Sequence, residues 1–278
     1  MSALVSAAHL RAELARPAPP VLLDVQWSLT GTPGPTGQER YAAAHLPGAT
    51  HVDLDAELAG PPGRGGRHPL PEVSAVEAAL RRAGVDDDSR VVVYDQGPGF
   101  AAARAWWVLR WVGAGDVRVL DGGLAAWIEA GGETTTAAPS VTAGGFTARA
   151  GSLPVLDAQA AAEVARDGVL VDARAAERFS GATEPIDPVA GHIPGAVNAP
   201  TTDNTGPDGR FLPADELRNR FSSWGIDADS SPVGVYCGSG VTAAHELLAL
   251  YEAGIDATLY VGSWSDWISD PDRPVATG

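Results

Sequence analysis

The chain carries the same ordered set of short motifs twice, so its fold must be one that can be built two times over. Val21-Leu-Leu-Asp24-Val25 returns as Val169-Leu-Val-Asp172-Ala173, with the two aspartates 148 residues apart. His45-Leu-Pro-Gly-Ala49 returns as His192-Ile-Pro-Gly-Ala196 after 147 residues. Val91-Val-Val-Tyr94-Asp95 returns as Val233-Gly-Val-Tyr236-Cys237 after 142, and Gly122-Gly-Leu-Ala-Ala-Trp127 as Gly262-Ser-Trp-Ser-Asp-Trp267 after 140. Constant order with a slowly shrinking offset is the mark of a tandem duplication. The joint is the stretch from Thr134 to Gly145, which is polar, small and unpatterned.

Within the second copy, short β-rich runs alternate with helical patterns. A helix near Asp157–Arg166, with Asp157 as N-cap, leads into a strand at Val169–Asp172. A strand near Ala196–Asn198 follows, then a helix over Pro213–Trp224 opened by its proline. A strand at Val233–Tyr236, a helix at Val241–Ala253 stopped by Gly254, a strand at Ala257–Val261 and a helical turn at Trp264–Trp267 complete it. The N-terminal stretch from Met1 to Leu10 reads as a first amphipathic helix and lacks the basic start of a signal peptide. Such alternation predicts an α/β fold: two like domains, each a mostly parallel sheet flanked by helices.

Composition narrows the functions. A formal charge of −16 with no Lys/Arg run argues against nucleic acid and anionic membrane as partners. No apolar stretch approaches the ~20 residues needed to span a bilayer. The single cysteine, Cys237, excludes a disulfide framework and any multi-cysteine metal site, and a free thiol suits a reducing cytoplasm.

That cysteine stands where a strand hands over to a helix, in Cys237-Gly-Ser-Gly-Val-Thr242. A glycine-rich loop in that position aims backbone N–H groups and the positive end of a helix dipole at the sulfur, which favours a thiolate. A cysteine phosphatase would need an arginine six residues on, where this chain has Ala243. A papain-like hydrolase would need a nearby histidine base; His245 lies further along the same helix and is expected to pack locally. What remains is attack by the thiolate on a sulfur atom, leaving a persulfide cradled by the loop. The first copy has Asp95 at the equivalent position and cannot do this. The tryptophans at 106, 107, 264 and 267 are expected to pack, and Arg174 to make structural ion pairs.

Together these residues resemble the two-domain sulfurtransferases of the rhodanese superfamily. The resemblance implies an inactive rhodanese-like domain over 1–139, a linker over 140–151 and a catalytic domain over 152–278. It implies that Cys237 carries sulfur, with Gly238, Gly240, Val241 and Thr242 of its loop and Arg178 holding the substrate. The uncharged loop is similar to that of the 3-mercaptopyruvate sulfurtransferases, in which positions matching Asp55, His68 and Ser239 form a proton-relaying chain. The second carboxylate-binding arginine of that group is missing from Thr183–Pro188; Arg64 or Arg67 is a possible substitute. The expected partners are a small sulfur donor and a thiol, thioredoxin or cyanide acceptor, with no cofactor and no metal. A thiosulfate:cyanide sulfurtransferase and a non-catalytic persulfide carrier stand as alternatives.

Overall fold

The computed structural model describes residues 2–29, 31–227 and 232–278. The chain folds as two compact units: residues 1–60, 71–153 and 207–210 in the first, and 61–70, 154–206 and 211–278 in the second. The short segment 61–70 therefore belongs with the second unit, although it is flanked on both sides by chain of the first.

The first unit runs β1 (Leu4–Val5), α1 (Ala7–Leu14), β2 (Val21–Asp24), α2 (Gly37–Ala43), β3 (Thr50–His51), α3 (Leu54–Glu57) and α4 (Val73–Arg82). It continues with β4 (Arg90–Tyr94), α5 (Phe100–Trp111), β5 (Asp116–Leu120) and α6 (Gly123–Glu129). The second unit runs β6 (Val155–Leu156), α7 (Ala158–Asp167), β7 (Val169–Asp172), α8 (Ala176–Ser180) and β8 (Val197–Asn198). After a 3₁₀ turn at Thr201–Asn204 come α9 (Ala214–Ser222), β9 (Val233–Tyr236), α10 (Thr242–Ala253), β10 (Thr258–Tyr260) and α11 (Ser263–Trp267).

Both sheets are five-stranded and parallel, in the orders β1-β5-β4-β2-β3 and β6-β10-β9-β7-β8. Element for element the orders are the same, so the duplicated motifs are duplicated structure. The central strands read as unbroken apolar runs, such as Val91-Val-Val93, because helices cover both faces of a parallel sheet. The helices that follow the central strands, α5 and α10, are buried nearly all round.

One expectation is corrected at the N-terminus. Leu4 and Val5 are not helical but form an edge strand in register with Val119 and Leu120. The helix starts only at Ala7, where the Ser6 hydroxyl accepts from the His9 N–H. A two-residue strand is too short to leave a period in the sequence. Elsewhere the predicted elements of the second copy match within one or two residues, with Asp157 capping α7 and Gly254 ending α10 at φ 80°. Trp106, Trp107, Trp264 and Trp267 are all buried. The joint is not free chain: Thr135 pairs with His45, and Phe146 is buried against the first unit through its N–H bond to the Val85 carbonyl. Among the described residues no helix is long and apolar enough to cross a membrane.

The repeated residues meet at the carboxyl end of each sheet. Tyr236, the last residue of β9, accepts the Ile193 N–H at 3.1 Å, and its phenol is bonded to the buried carboxylate of Asp172 at the end of β7. In the first unit Tyr94 accepts the Leu46 N–H at 3.0 Å and is bonded to Asp24. Burial, and then the neighbouring carboxylate, push both phenols well above their ordinary range, so they remain neutral donors. The histidines anchor the other side of the same turns, His45 Nδ1 on the Tyr41 carbonyl and His192 Nδ1 on that of Phe179, both at 2.8 Å. Tyr236→Phe leaves a buried backbone N–H and a buried carboxylate each short of a partner. It is expected to cost roughly 1–3 kcal/mol in denaturant unfolding, as is Tyr94→Phe.

Candidate active site

Cys237 follows β9 directly and is 1% exposed. Its sulfur accepts from the Gly240 N–H at 3.1 Å and more loosely from the Ser239 N–H at 3.5 Å. Gly240 takes φ 80°, a conformation that turns its N–H inward and that side chains resist. Val241 caps α10 and Thr242 begins it, so both expected loop residues stand at the positive end of that helix.

A second turn, Gly262–Ser265, fixes the cysteine from behind. Trp264 N–H donates to the Cys237 carbonyl at 2.9 Å and Ser265 N–H to the Gly238 carbonyl at 3.0 Å. The Ser263 hydroxyl accepts the Cys237 N–H at 3.1 Å and donates to the Tyr260 carbonyl. Ser263, at φ 55°, is the one non-glycine residue in the left-handed region among those described. Backbone held there against its preference belongs to a position that the surroundings over-determine. Sequence reasoning missed Ser263, although the repeat marks it: the equivalent residue is Gly123.

The 61–70 segment supplies two further groups. Arg67 N–H donates to the Ser265 hydroxyl at 3.0 Å, and Gly66 lies so close to the Gly262 carbonyl that an added Cβ would sit 2.6 Å from it. Thus seated, His68 places Nδ1 2.8 Å from the Ser239 hydroxyl. The expected His68–Ser239 pair is therefore formed beside the sulfur. Asp55 belongs to the first unit, where it lies in the first turn of α3 and accepts from Trp27 Nε1 at 3.1 Å.

Arg178 reaches the same loop. A Cβ built on Gly238 would lie 2.8 Å from Arg67 Nη2 and 3.5 Å from both terminal nitrogens of Arg178, so two guanidiniums face the residue after the cysteine. Arg178 is bonded to Glu184 at 2.8–3.1 Å and to Asp187 at 2.9 Å. Arg67 pairs with the other oxygen of Asp187. Burial pushes the Glu184 carboxyl up, but Arg178 and the N–H groups of Asp187 and Ile186 outweigh it and hold the acid below its usual range. Arg174 bonds Asp172 at 2.5 Å and lies over the Trp264 ring, a structural pair as expected. His245 is buried, with Nδ1 on Thr201 and its ring stacked on Phe211. Arg64 accepts from Ser269 through its carbonyl and lines a separate cavity of about 330 Å³ with Asp266, Asp270 and Arg273. Among the described residues no group of three His, Cys, Asp or Glu side chains is placed to hold a metal ion.

In the first unit the same loop is filled by its own side chain. Asp95 accepts from Gly97 and Gly99 on one oxygen and from Ala101 and Ala102 on the other, at 2.9–3.2 Å. A strand, a turn of amides and a helix start, built twice and holding sulfur in one copy and a carboxylate in the other, decide the family. A model described as the rhodanese-like domain matches residues 6–130 and again 156–270.

The chain belongs to the rhodanese family. Over 99% of its length it is 47% identical to a Pseudomonas aeruginosa protein provisionally named 3-mercaptopyruvate sulfurtransferase, of which it covers 98%. It is 46% identical, again over 99%, to a Mycobacterium tuberculosis protein provisionally named thiosulfate sulfurtransferase SseB, covering 97% of that protein. Among solved structures, the 3-mercaptopyruvate enzyme SseA from Escherichia coli superposes with a TM-score of 0.82 at 33% identity, over 95% of this chain and all of that one.

Burial raises the Asp95 carboxyl to about 6, against the pull of its four amide bonds. An acid whose folded value lies above its unfolded one holds its proton more tightly when folded. Its contribution to stability is thus present below about pH 4 and is lost as the pH rises through 6. Asp95→Asn is expected to remove that part of the slope when denaturation midpoints are compared from pH 4 to pH 8.

Proposed function

We propose that this rhodanese is a sulfurtransferase in which Cys237 takes sulfur from 3-mercaptopyruvate and passes it to a thiol. The cysteine thiolate attacks the thiol sulfur of the donor, an S–S bond forms, and the C–S bond breaks with its electron pair left on carbon. The leaving group is the enolate of pyruvate, which takes up a proton to give pyruvate. An acceptor thiolate then attacks the outer sulfur of the Cys237 persulfide and releases the Cys237 thiolate. No cofactor enters this sequence.

The observation that carries the reading is the pair of loops. The Asp95 oxygens lie two bonds from Cβ, and each is met by two backbone N–H groups. The outer sulfur of a Cys237 persulfide also lies two bonds from Cβ, in a loop that starts its helix at the same distance from the strand. The fold thus has a place for an anionic adduct on that cysteine. Gly238, Gly240, Val241 and Thr242 offer backbone to it, and Arg178, its fork held by Glu184 and Asp187, offers the Nη1 end that faces Gly238 to a carboxylate. In this reading His68, through Ser239, delivers the proton to the enolate, and Asp55 completes that relay. The first domain, with Asp95 in place of a nucleophile, contributes no second reaction centre; residues 152–278 carry the nucleophile, and His68 and Asp55 add the proton relay to it. A thiol that must cycle in the reduced form suits the cytoplasm, with thioredoxin or a small thiol as acceptor.

Relatives of nearly equal identity carry the names of both donors, so thiosulfate is the second reading. In that case the same attack would release sulfite. The His68–Ser239 pair favours mercaptopyruvate, because an enolate needs a proton and sulfite does not.

Intact mass after donor exposure is expected to show one added sulfur on the native protein and none on Cys237→Ser; sulfur on the serine variant would refute the assignment. The kcat/KM is expected to be higher for 3-mercaptopyruvate than for thiosulfate. Arg178→Ala removes a charge-assisted contact of roughly 1.5–3 kcal/mol and is expected to raise KM for mercaptopyruvate about tenfold or more.

A further inference from the structure

The two guanidiniums beside Gly238 are not equivalent. Arg178 is bonded along its fork to Glu184 and Asp187, and its side chain is 15% exposed. Arg67 touches Asp187 through Nη1, while its Nε is buried without a hydrogen-bond partner, and its side chain is 27% exposed. Buried N–H donors ordinarily find acceptors. An orphaned guanidinium donor beside a reactive cysteine therefore points to an anionic ligand. Asp187 lies between the two arginines with one oxygen on each, its own side chain 2% exposed. Arg67 and Arg178 are thus matched by Asp187 and Glu184, and the cluster carries no net charge before any ligand arrives. Arg174 and Asp172 behind it also cancel.

We propose that Arg67 joins Arg178 in an anion subsite next to the Cys237 loop, and that Asp187 is its built-in counter-ion and sets its charge. This rests on the sulfurtransferase reading and goes further. Selection between donors then lies in a carboxylate far from the cysteine loop in sequence. A neutral cluster can hold the single carboxylate of an α-keto acid by directed hydrogen bonds. For a dianion such as thiosulfate it offers no surplus positive charge, and the second charge meets the field of Asp187. Asp187 is accordingly a specificity-determining residue, and Arg67 does the work of the arginine absent from Thr183–Pro188.

The test uses the full chain carrying Cys237→Ser, so that binding is read without turnover. Pyruvate is the monoanion probe and thiosulfate the dianion probe, titrated by calorimetry at low and at physiological salt. Asp187→Asn is expected to tighten thiosulfate about tenfold more than pyruvate, with the difference shrinking as salt rises. Arg67→Gln is expected to weaken both, thiosulfate more. The double variant restores neutrality and is expected to return the thiosulfate-to-pyruvate ratio toward that of the parent. A merely structural role for Asp187 would not make the ratio follow the charge count in this way. An Asp187→Asn protein that melts like its parent with an unchanged ratio overturns the proposal. If that variant does not fold, Arg67→Gln decides: unchanged thiosulfate binding overturns the proposal and selective weakening supports it. Sulfur loading of the protein with Cys237 intact reports on the reaction separately, so failure of either idea is seen on its own.

Discussion

A buried carboxylate holding a buried phenol organises each half of this molecule. Asp172 ends β7, Tyr236 ends β9, and the phenol between them accepts the backbone N–H of the turn that leads into β8. Two central strands and a crossover are tied at one point, on the edge of the sheet where ligands of α/β folds collect. The residue after the tyrosine has no freedom left: it must enter the loop at a set height and direction. In the second unit that residue is Cys237. The distance from thiol to amides is thus set by polar groups buried at the ends of the strands. Asp172 also holds Arg174, so a single acid anchors the sheet edge and the rear of the cluster of arginines and carboxylates.

The same knot explains what could be read from the sequence. The repeat was visible because its members, the strand-end aspartate, the His-x-Pro-Gly turn and the tyrosine before Cys237, are the knot itself. Residues that must satisfy one another in a dry interior tolerate little change. The strands and helices near them were legible for the same reason. The edge strands β1 and β6 were not, since two residues supply no period and their pairing is decided by tertiary register. Within the site, Cys237 and its glycine-rich loop came from local pattern, and Arg178, Ser239, His68 and Asp55 from likeness to a family. Ser263 was hidden because its φ and its bond to the Cys237 N–H are set by the fold and leave no local pattern. Glu184 and Asp187 stood in plain view as two acids shortly after Arg178, but only the fold shows that they are its partners. That Arg67 faces Gly238 is seen only once the 61–70 segment is found to lie with the second unit.

Charge at the site is supplied away from the cysteine loop. The loop itself is neutral, yet two arginines stand against Gly238 and two acids stand against the arginines. Reading donor preference from the loop alone therefore omits the larger electrostatic contributors. Buried ion pairs are costly to assemble and contribute little net stability, so stability alone is a weak reason for a cluster of this size beside a thiol.

The Asp95 loop has a consequence for how the two halves have drifted since they were one. In the first unit the amides are permanently satisfied, so nothing preserved there the fittings of a working centre. Gly97 now stands where the second unit has Ser239, and Gly123 where it has Ser263. A Cβ on Gly123 would lie 2.6 Å from the Asp95 carbonyl, so the hydroxyl that braces Cys237 no longer has room in the sister copy. Putting cysteine back at position 95 would restore a sulfur without its support. The two copies thus differ in a set of residues and not in one: the first closes its loop on its own carboxylate, and the second leaves its amides turned toward a sulfur.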